Sequence, residues 1–299
     1  MNNSRKAILL ALLAVTLWST AATAFKISLQ ELDYVNLLLY SSMVSKVVLF
    51  IIVLLKKEYN GILTRRSFMQ SALLGFLNPF LYYMILLKAY SLLPAQIAQP
   101  LNYLWPVMLS LLAVPLLGQR LKPAALIALV ISFTGVAVIS QQGQWFHIEK
   151  EDITGVFLAA GSSVIWALYW ILNMRDKRKD APRLFLNFLF GSFYIIIYTL
   201  LFHEVRSPWS YSGLAAVYVG IFEMGFTFFL WMTALQYASA AAKVSNLVFL
   251  SPFLSLIFIH FILGESIYVT TLPGIILILG GILVSEMIKD KKGNANKTN

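Results

Sequence analysis

The stretch LGQRL at residues 117–121 returns 146 residues later as LGESI at residues 263–267. Three further pairs keep nearly the same spacing, namely Pro106 with Pro252, Gly135 with Gly281, and Trp18 with Trp166. The chain is therefore predicted to contain two related units, one at residues 1–145 and the other at residues 146–299.

The composition is too apolar for a soluble protein. Hydrophobic residues occupy 59% of the 299 positions and charged residues 12%, against about 45–50% and about 25% in soluble domains. So few charges cannot cover the surface of a soluble chain of this length, which leaves a polytopic membrane protein. The absence of cysteine excludes disulfides, thiol catalysis and cysteine-ligated metal sites.

Apolar stretches of the length that crosses a bilayer recur along the whole chain. A helix needs about 20 residues to cross a hydrocarbon core roughly 30 Å thick, and the lack of alternation argues against barrel strands. We therefore expect an all-α integral membrane fold with ten transmembrane helices. The predicted spans are Ala7–Ile27, Val35–Leu55, Ser67–Leu87, Ile97–Leu117, Pro123–Ile139, Ile153–Asn173, Leu184–Phe202, Gly213–Leu235, Val244–Leu263 and Thr270–Ser285.

Each repeated unit contains five of these spans. An odd number of spans forces the second unit to enter the membrane from the opposite face. The units are therefore expected to be inverted repeats about an axis in the membrane plane, an architecture of secondary transporters that bind substrate near the midplane.

The positive charges predict the orientation. Of the 23 Lys and Arg residues, 17 fall in loops and tails on the side of the N-terminus and three on the opposite side. Because cytoplasmic loops carry the excess of positive charge, both termini are predicted to lie in the cytoplasm, with the protein in the inner (plasma) membrane. The net charge of +10 then needs no nucleic-acid partner. We expect the bilayer and a small-molecule substrate as partners, and a monomer or weak homodimer.

No enzyme motif is present. The three histidines, His147, His203 and His260, are far apart, and no glycine-rich phosphate-binding loop with Lys-Ser/Thr occurs. We predict a protein that is not an enzyme and needs no cofactor or metal. The alternative, an intramembrane enzyme, would need a convergent set of His, Asp or Glu residues within the spans, and only Glu223 and His260 are available.

The repeated residues resemble a known family. Units with Trp-Ser or Trp-Ala in the first helix, proline in the fourth, Gly-Gln or Gly-Glu at its end and glycine in the fifth resemble the EamA family of the drug/metabolite transporter superfamily. The stretches LWST at residues 17–20 and NYLWP at residues 102–106 are most similar to YddG-type aromatic amino acid exporters. The resemblance implies ten helices, cytoplasmic termini and export of small metabolites by alternating access.

Aromatic residues in the middle of spans are the first candidates for a substrate site. Their rings would stack on an apolar or aromatic cargo while amides, hydroxyls and a carboxylate bind its polar end, and plain helix packing is the alternative. The predicted substrate-binding residues are Trp18, Asn78, Tyr82, Tyr83, Asn102, Tyr103, Trp105, Trp166 and Glu223.

Prolines within spans are the second set of candidates. Each removes a backbone hydrogen bond and can kink its helix. Pro79, Pro106 and Pro252 are predicted to form kinks that shape or gate a central cavity, with a static packing kink as the alternative.

Glu223 is the only acidic residue deep within a predicted span. At 1.5 Å per residue it lies roughly 15 Å from the end of its span, and Lys46 lies at a similar depth in another span. Because charges at this depth usually find partners, a structural ion pair between Lys46 and Glu223 is one hypothesis. Proton coupling, or binding of a cargo amine by Glu223, is the other.

The cargo is expected to be an aromatic or apolar amino acid. Cationic drugs and sugar phosphates are the alternatives within the same fold. A sugar phosphate would require basic residues in the cavity, for which Lys46 and Lys88 are the available candidates.

Overall fold

A computed structural model describes residues 3–58, 64–118, 123–143, 150–237 and 246–295. Over these ranges every regular element is a helix and none is a strand, so the predicted all-α fold is confirmed. The predicted boundary between the two units, at residues 145 and 146, lies outside the described residues.

Over the described ranges, ten helical segments follow one another, and each coincides with one of the predicted apolar stretches to within a few residues, apart from the longer end of the last. Seven of them, all but the fifth, ninth and tenth, are long and apolar enough to cross a membrane over the described residues. The segments are α1 Asn3–Ser28, α2 Tyr34–Lys56, α3 Arg65–Leu92, α4 Ala95–Leu117, α5 Pro123–Ser140, α6 Lys150–Met174, α7 Asp180–Phe202, α8 Tyr211–Tyr237, α9 Leu247–Leu263 and α10 Thr271–Ala295.

Several of these helices are interrupted. The α-helical parts of α1 are Asn3–Ser19 and Ala21–Ser28, and those of α4 are Ala95–Asn102 and Trp105–Leu117. Wider π-helical segments break α3 at Phe76–Leu81, α8 at Val219–Gly225 and the end of α9 at Ile259–Leu263, while α9 opens with a 3-10 turn at Asn246–Leu250.

The interruptions of α3 and α8 fall at matching positions of the two units predicted from the sequence. Asn78 lies in the π segment of α3 and leaves the helical conformation, with φ −147° and ψ 120°. Glu223 lies in the π segment of α8, 145 residues further along the chain. The third helix of each predicted unit therefore contains a π segment.

The repeated LGQRL and LGESI stretches have a structural counterpart as well. Gly118 ends α4 and Gly264 ends α9, and both adopt the left-handed conformation, with φ of 65° and 70°. Glycine is favoured there because it has no Cβ to clash with the preceding carbonyl oxygen. The stretch therefore repeats because each unit ends its fourth helix in the same way.

The second and seventh helices, α2 and α7, pack directly against each other, and so do the fifth and tenth, α5 and α10. The members of each pair have the same position in the two predicted units. In the pair α2 and α7, the hydroxyl of Ser192 donates to the carbonyl oxygen of Ser42 at 3.3 Å, and the rings of Phe50 and Phe185 lie 5.3 Å apart. The residue numbers of the contacting residues increase along α2 while those of their partners decrease along α7, so the two helices are antiparallel.

The pair α5 and α10 is antiparallel by the same criterion. Ser132 donates its hydroxyl hydrogen to the carbonyl oxygen of Ile278 at 3.2 Å, and the amide of Gly143 donates to the Thr270 hydroxyl at 3.0 Å. A Cβ built on Gly135 would lie 2.8 Å from the carbonyl oxygen of Gly274, so the two backbones are in close contact. The remaining large contacts also match between units, with α1 against α8 and α9, and α6 against α3 and α4.

Candidate substrate cavity

A cavity of about 90 Å³ lies between α1, α3, α4, α6 and α8, next to the start of α9. This volume holds several water molecules and is well below the ~300–1,000 Å³ typical of ligand pockets. Most of the described lining residues are aromatic, namely Trp18, Phe25, Tyr82, Tyr90, Tyr103, Trp105, Trp166, Trp170, Phe228 and Trp231.

Several of these rings are in contact with one another, from Tyr82 through Trp166 and Phe228 to Trp18 and Trp231. The ring of Trp166 stacks on that of Tyr82, with centroids 4.6 Å apart and an interplanar angle of 28°. On the α1 side, the rings of Trp18 and Trp231 lie 5.3 Å apart. Such surfaces favour flat apolar groups, because offset and edge contacts between rings are attractive.

Glu223 is the only charged side chain among the described residues that line the cavity. The hydroxyl of Tyr83 donates to Glu223 Oε1 at 3.1 Å, whereas Oε2 is buried and has no hydrogen-bond partner among the described residues. One carboxylate oxygen is therefore bound to Tyr83, and the other has no group that compensates its charge among the described residues.

The structure does not form the expected ion pair between Lys46 and Glu223. The amine of Lys46 donates to the sulfur of Met43 at 3.3 Å, and no salt bridge joins it to Glu223. The face of α2 that touches the π segment of α8 carries Val44, near Gly220, and Val48, near Gly225. Lys46 lies two residues from each of them, about 200° around the helix, so it points elsewhere.

Asn102 supports the aromatic wall. The hydroxyl of Tyr82 donates to Asn102 Oδ1 at 3.1 Å, and Asn102 Nδ2 donates to the hydroxyl of Ser162 at 2.8 Å. This amide lines the cavity but already uses its polar atoms to link α3, α4 and α6.

Gln99 lines the same cavity, is buried, and makes no side-chain hydrogen bond to another described residue. The sequence analysis missed it. It lies three and four residues before Asn102 and Tyr103 on one helix face, and this spacing could have identified it.

Seven of the nine predicted substrate-binding residues line the cavity, and they are Trp18, Tyr82, Asn102, Tyr103, Trp105, Trp166 and Glu223. Tyr83 lies behind Glu223 and is fully buried. Asn78 is elsewhere, because it faces Tyr169 of α6 and Asn187 of α7. Sequence analysis omitted five aromatic residues of the same wall, which are Phe25, Tyr90, Trp170, Phe228 and Trp231. That the lining residues bind substrate stays a prediction.

The three predicted kink prolines all lie at helix interruptions. Pro79 is in the π segment of α3, and Pro106 and Pro252 occupy the first turn of the helices that begin at Trp105 and Ser251. Their gating role stays a prediction. Lys88, the other basic candidate, is outside the cavity, with its amine 5.1 Å from the centroid of the Tyr34 ring.

A polar junction lies just beyond Tyr90, at one end of the cavity. The amine of Lys26 donates to the carbonyl oxygens of Tyr90 and Leu93, each at 3.1 Å. Glu265 accepts from the backbone amide of Ala95 at 3.1 Å, where α4 begins. Gln96 accepts from the Thr271 hydroxyl at 2.7 Å. The junction ties α1, α3 and α4 to the α9–α10 connection.

A charged cluster lies at the opposite end of the helices. Arg178 brackets the carboxylate of Asp176, with Nη2 2.6 Å from Oδ2, and also donates to the hydroxyl of Ser71 at 2.9 Å. Burial would by itself raise the pKa of Asp176, but the hydrogen bonds and charge of Arg178, together with Arg183, hold that pKa below its usual value. This cluster fastens the α6–α7 loop to α3.

Comparison with known proteins agrees with this architecture. The profile of the EamA-like transporter family matches residues 5–141 and 153–287. A solved crystal structure shares the fold with a TM-score of 0.67 and 22% identity, over 96% of this chain and 99% of that chain.

The similar sequences are described as transporters. YvbV of Bacillus subtilis, an uncharacterised transporter, is 28% identical over 226 residues, which cover 73% of this chain and 72% of YvbV. An uncharacterised transporter of Archaeoglobus fulgidus is 25% identical over 284 residues, 94% of this chain and 98% of that one. The aromatic amino acid exporter YddG of Ancylobacter novellus is 28% identical over 153 residues, 51% of this chain and 53% of the exporter.

Proposed function

Because the chain belongs to the EamA-like transporter family, we propose that it is a secondary transporter that exports small amphipathic molecules, in the first place aromatic or apolar amino acids. The observation that carries this proposal is the aromatic cavity with one carboxylate, Glu223, whose Oε2 has no partner among the described residues. The ammonium group of the cargo binds that oxygen, and its apolar side chain stacks between the rings.

Amphipathic cations, such as cationic drugs, are a second candidate, because the same carboxylate attracts them without any need for a cargo carboxylate. Sugar phosphates are disfavoured, since no Lys or Arg belongs to the described lining and neither Lys46 nor Lys88 reaches it. The relation to the YddG exporter favours amino acids over drugs.

We infer that cargo and proton compete for Glu223. An uncompensated carboxylate at membrane depth is costly, and it is relieved by binding either a proton or an ammonium group. A cargo that enters from the cytoplasm therefore displaces a proton, and a proton that arrives at Glu223 displaces the cargo. The result is export of cargo in exchange for protons.

We propose that ten transmembrane helices form inverted repeats and work by alternating access. The antiparallel pairs α2–α7 and α5–α10 are the arrangement that an in-plane two-fold axis would produce. The matching π segments of α3 and α8 and the matching glycine ends of α4 and α9 also support it. If each unit in turn adopted the conformation of the other, the cavity would open first to one side of the membrane and then to the other.

The distribution of Lys and Arg favours cytoplasmic termini, with the Asp176–Arg178 cluster inside and the Lys26–Glu265 junction outside. Since the chain has no cysteine, single cysteines report the orientation directly. In intact cells a cysteine at Arg206 should react with an impermeant thiol reagent and one at Lys179 should be protected. Both side chains are largely exposed, so the reverse pattern would overturn the orientation.

Proteoliposomes that contain only this protein test the function. We expect counterflow of labelled phenylalanine and tryptophan, weaker counterflow of phenethylamine, and none of glucose 6-phosphate. Stronger counterflow of phenethylamine would reassign the cargo to amphipathic cations. Movement of glucose 6-phosphate alone, or of none of the four, would refute the proposal.

A further inference from the structure

Behind the cavity, a group of buried polar side chains lacks hydrogen-bond partners. Asn78 of α3 and Asn187 of α7 are 0% exposed, and neither amide has a partner for its oxygen or its nitrogen among the described residues. Tyr169 of α6 is 1% exposed, and its hydroxyl is unpartnered in the same sense. We call these three residues the amide cluster. Both asparagine side chains lie close to the Tyr169 hydroxyl and interact with it, but neither reaches full hydrogen-bond geometry with it.

Close backbone packing holds α3 and α7 together around the amide cluster. A Cβ on Gly191 would lie 2.3 Å from Cδ of Pro79, and one on Gly75 would lie 2.4 Å from the carbonyl oxygen of Asn187. Apolar packing would be the cheaper way to fill such a site, because an unpaired buried polar group costs about 1–3 kcal/mol. Polar groups retained here therefore point to a ligand that pairs them.

The amide cluster lies between Glu223 and the charged cluster of the α6–α7 loop. Toward the cavity, the Tyr169 hydroxyl is within interaction range of Tyr83, which donates to Glu223. Toward the loop, Tyr169 and Asn173 lie on one face of α6, and Asp176 follows two residues after the end of this helix, roughly 10 Å from Tyr169 along the axis. Asn173 is 2% exposed, and its Oδ1 also lacks a partner among the described residues.

The mixture of unpartnered groups identifies the ligand. Each amide offers both an acceptor and a donor, so the ligand must donate and accept hydrogen bonds, as water does. A metal cation would pair the oxygens and leave both NH2 groups bare, and the nearby positive charge of Arg183 opposes it. We propose that the amide cluster binds internal water molecules, and that this hydrated path carries protons between Glu223 and the cytoplasmic Asp176–Arg178 cluster.

The proton can move along this path without leaving either tyrosine charged. Protonated Glu223 passes its proton to the Tyr83 oxygen as Tyr83 gives its own hydroxyl proton to the Tyr169–water chain. The last water then releases one proton at the cytoplasmic end. The carboxylate that remains on Glu223 can bind the next cargo ammonium, so this proposal rests on the proposed exchange of cargo for protons.

Tyrosine hydroxyls are the only titratable groups that face Glu223 among the described residues. They belong to Tyr82, Tyr83 and Tyr90 of α3 and to Tyr103 of α4. The facing part of α1 presents Trp18, which donates to the carbonyl oxygen of Glu223 at 3.4 Å, and α2 presents valines. No fixed positive charge therefore competes with the proton.

Hydration is testable without any cargo. Hydroxyl radicals generated by a short X-ray pulse modify buried aromatic rings only where bound water lies next to them. In the purified full-length protein, Tyr169 should be modified much faster than Phe188, which is 0% exposed and one residue from Asn187. Asn187→Leu should slow the modification of Tyr169. Equal protection of Tyr169 and Phe188 would overturn the proposal.

Proton flux tests the path itself, in proteoliposomes with a pH-sensitive dye inside. Tyr169→Phe and Asn187→Leu should slow proton movement driven by a phenylalanine gradient by about 10-fold or more. Counterflow of phenylalanine against phenylalanine at equal pH should persist, because it needs no net proton transfer. Tyr194→Phe is the control, since it removes an α7 hydroxyl that bonds to the carbonyl oxygen of Ala72.

The outcomes separate this proposal from the proposed function. Undiminished proton flux in both variants, or phenylalanine counterflow without proton movement in the wild-type protein, would overturn the path and leave export standing. A requirement for Na⁺ that Tyr169→Phe abolishes would overturn the assignment of water. Absence of all cargo movement would refute export, and Tyr169 labelling would still decide whether the amide cluster is hydrated.

Discussion

Replacing Glu223 by glutamine changes one interaction that the proposed cargo makes. The amide keeps the size of the carboxylate and an oxygen that can accept from Tyr83, as Oε1 does now at 3.1 Å. The position of Oε2 becomes an NH2 group, which donates and cannot bind an ammonium group. Glu223→Gln should therefore weaken binding of an aromatic amine or amino acid and spare the rest of the cavity.

The size of the effect follows from the kind of bond that is lost. A hydrogen bond to a charged group contributes about 1.5–3 kcal/mol, which corresponds to roughly 10- to 150-fold in Kd. Protein abundance should not fall, because glutamine removes a buried carboxylate oxygen that has no partner among the described residues. Adding Lys46→Met should change neither result, since Lys46 bonds to Met43 instead.

Equilibrium binding of labelled phenylalanine to the purified protein measures the effect. 3-Phenylpropionate, which keeps the ring and the carboxylate but lacks the ammonium group, should bind the variant and the wild-type protein alike. Glu31→Gln is the matched control, because Glu31 is exposed and outside the cavity. Unchanged phenylalanine affinity in Glu223→Gln would refute the role of this carboxylate, and recovery on adding Lys46→Met would restore the ion-pair hypothesis.

Three further predictions concern the cavity wall, the helix packing and the loop. Trp105→Ala should weaken phenylalanine binding about 2- to 10-fold, the value of one ring contact, whereas Trp209→Ala, at a 93% exposed residue, should have no effect in the same assay. Gly191→Ala should destabilise the protein by about 1–3 kcal/mol, because the new methyl group would overlap the facing proline. Gly161→Ala, with open space around it, should leave the thermal midpoint unchanged. Because the pKa of Asp176 is held low in the folded protein, its stabilisation is present above its unfolded pKa and is lost as pH falls through the folded pKa. Asp176→Asn should therefore lower the thermal midpoint at pH 7 and have a smaller effect near pH 3, and an equal effect at both would contradict this assignment.

The apolar spans, and half of the ten described aromatic residues of the cavity wall, could be predicted from the sequence. Hydropathy marks the spans because every backbone polar group must be paired within the bilayer, which favours continuous helices. Because α1 and α6 both border the cavity, aromatic residues in the middle of these helices, such as Trp18 and Trp166, line it. The wall was found only in part, because Trp231 belongs to an aromatic run in which sequence alone does not say which ring faces inward.

Positions around a helix axis were harder to predict than positions along it. The pairing of Lys46 with Glu223 was argued from equal depth, but Lys46 lies on a face of α2 that is turned away from α8. Asn78 was placed in the substrate site by its match to Glu223. Its non-helical conformation in the π segment instead directs it toward α6 and α7. Irregular segments change the direction of side chains, and apolar periodicity does not reveal them.

The π segment of α8 changes the direction in which the side chains after it point around the helix axis. On an uninterrupted α-helix, Ser212 and Trp231 would point about 100° apart, since they are 19 residues apart at about 100° per residue. Both nevertheless face α1, where Ser212 donates to the carbonyl oxygen of Ile27 and Trp231 contacts Trp18. The extra residue accommodated by a π turn supplies the missing rotation. Drawing the same residues into a regular α-helix would turn Trp231 about 100° out of the cavity, whereas deleting one residue between Val219 and Gly225 would regularise the helix and leave the ring in place, so at this point the length of the chain sets the direction of the ring.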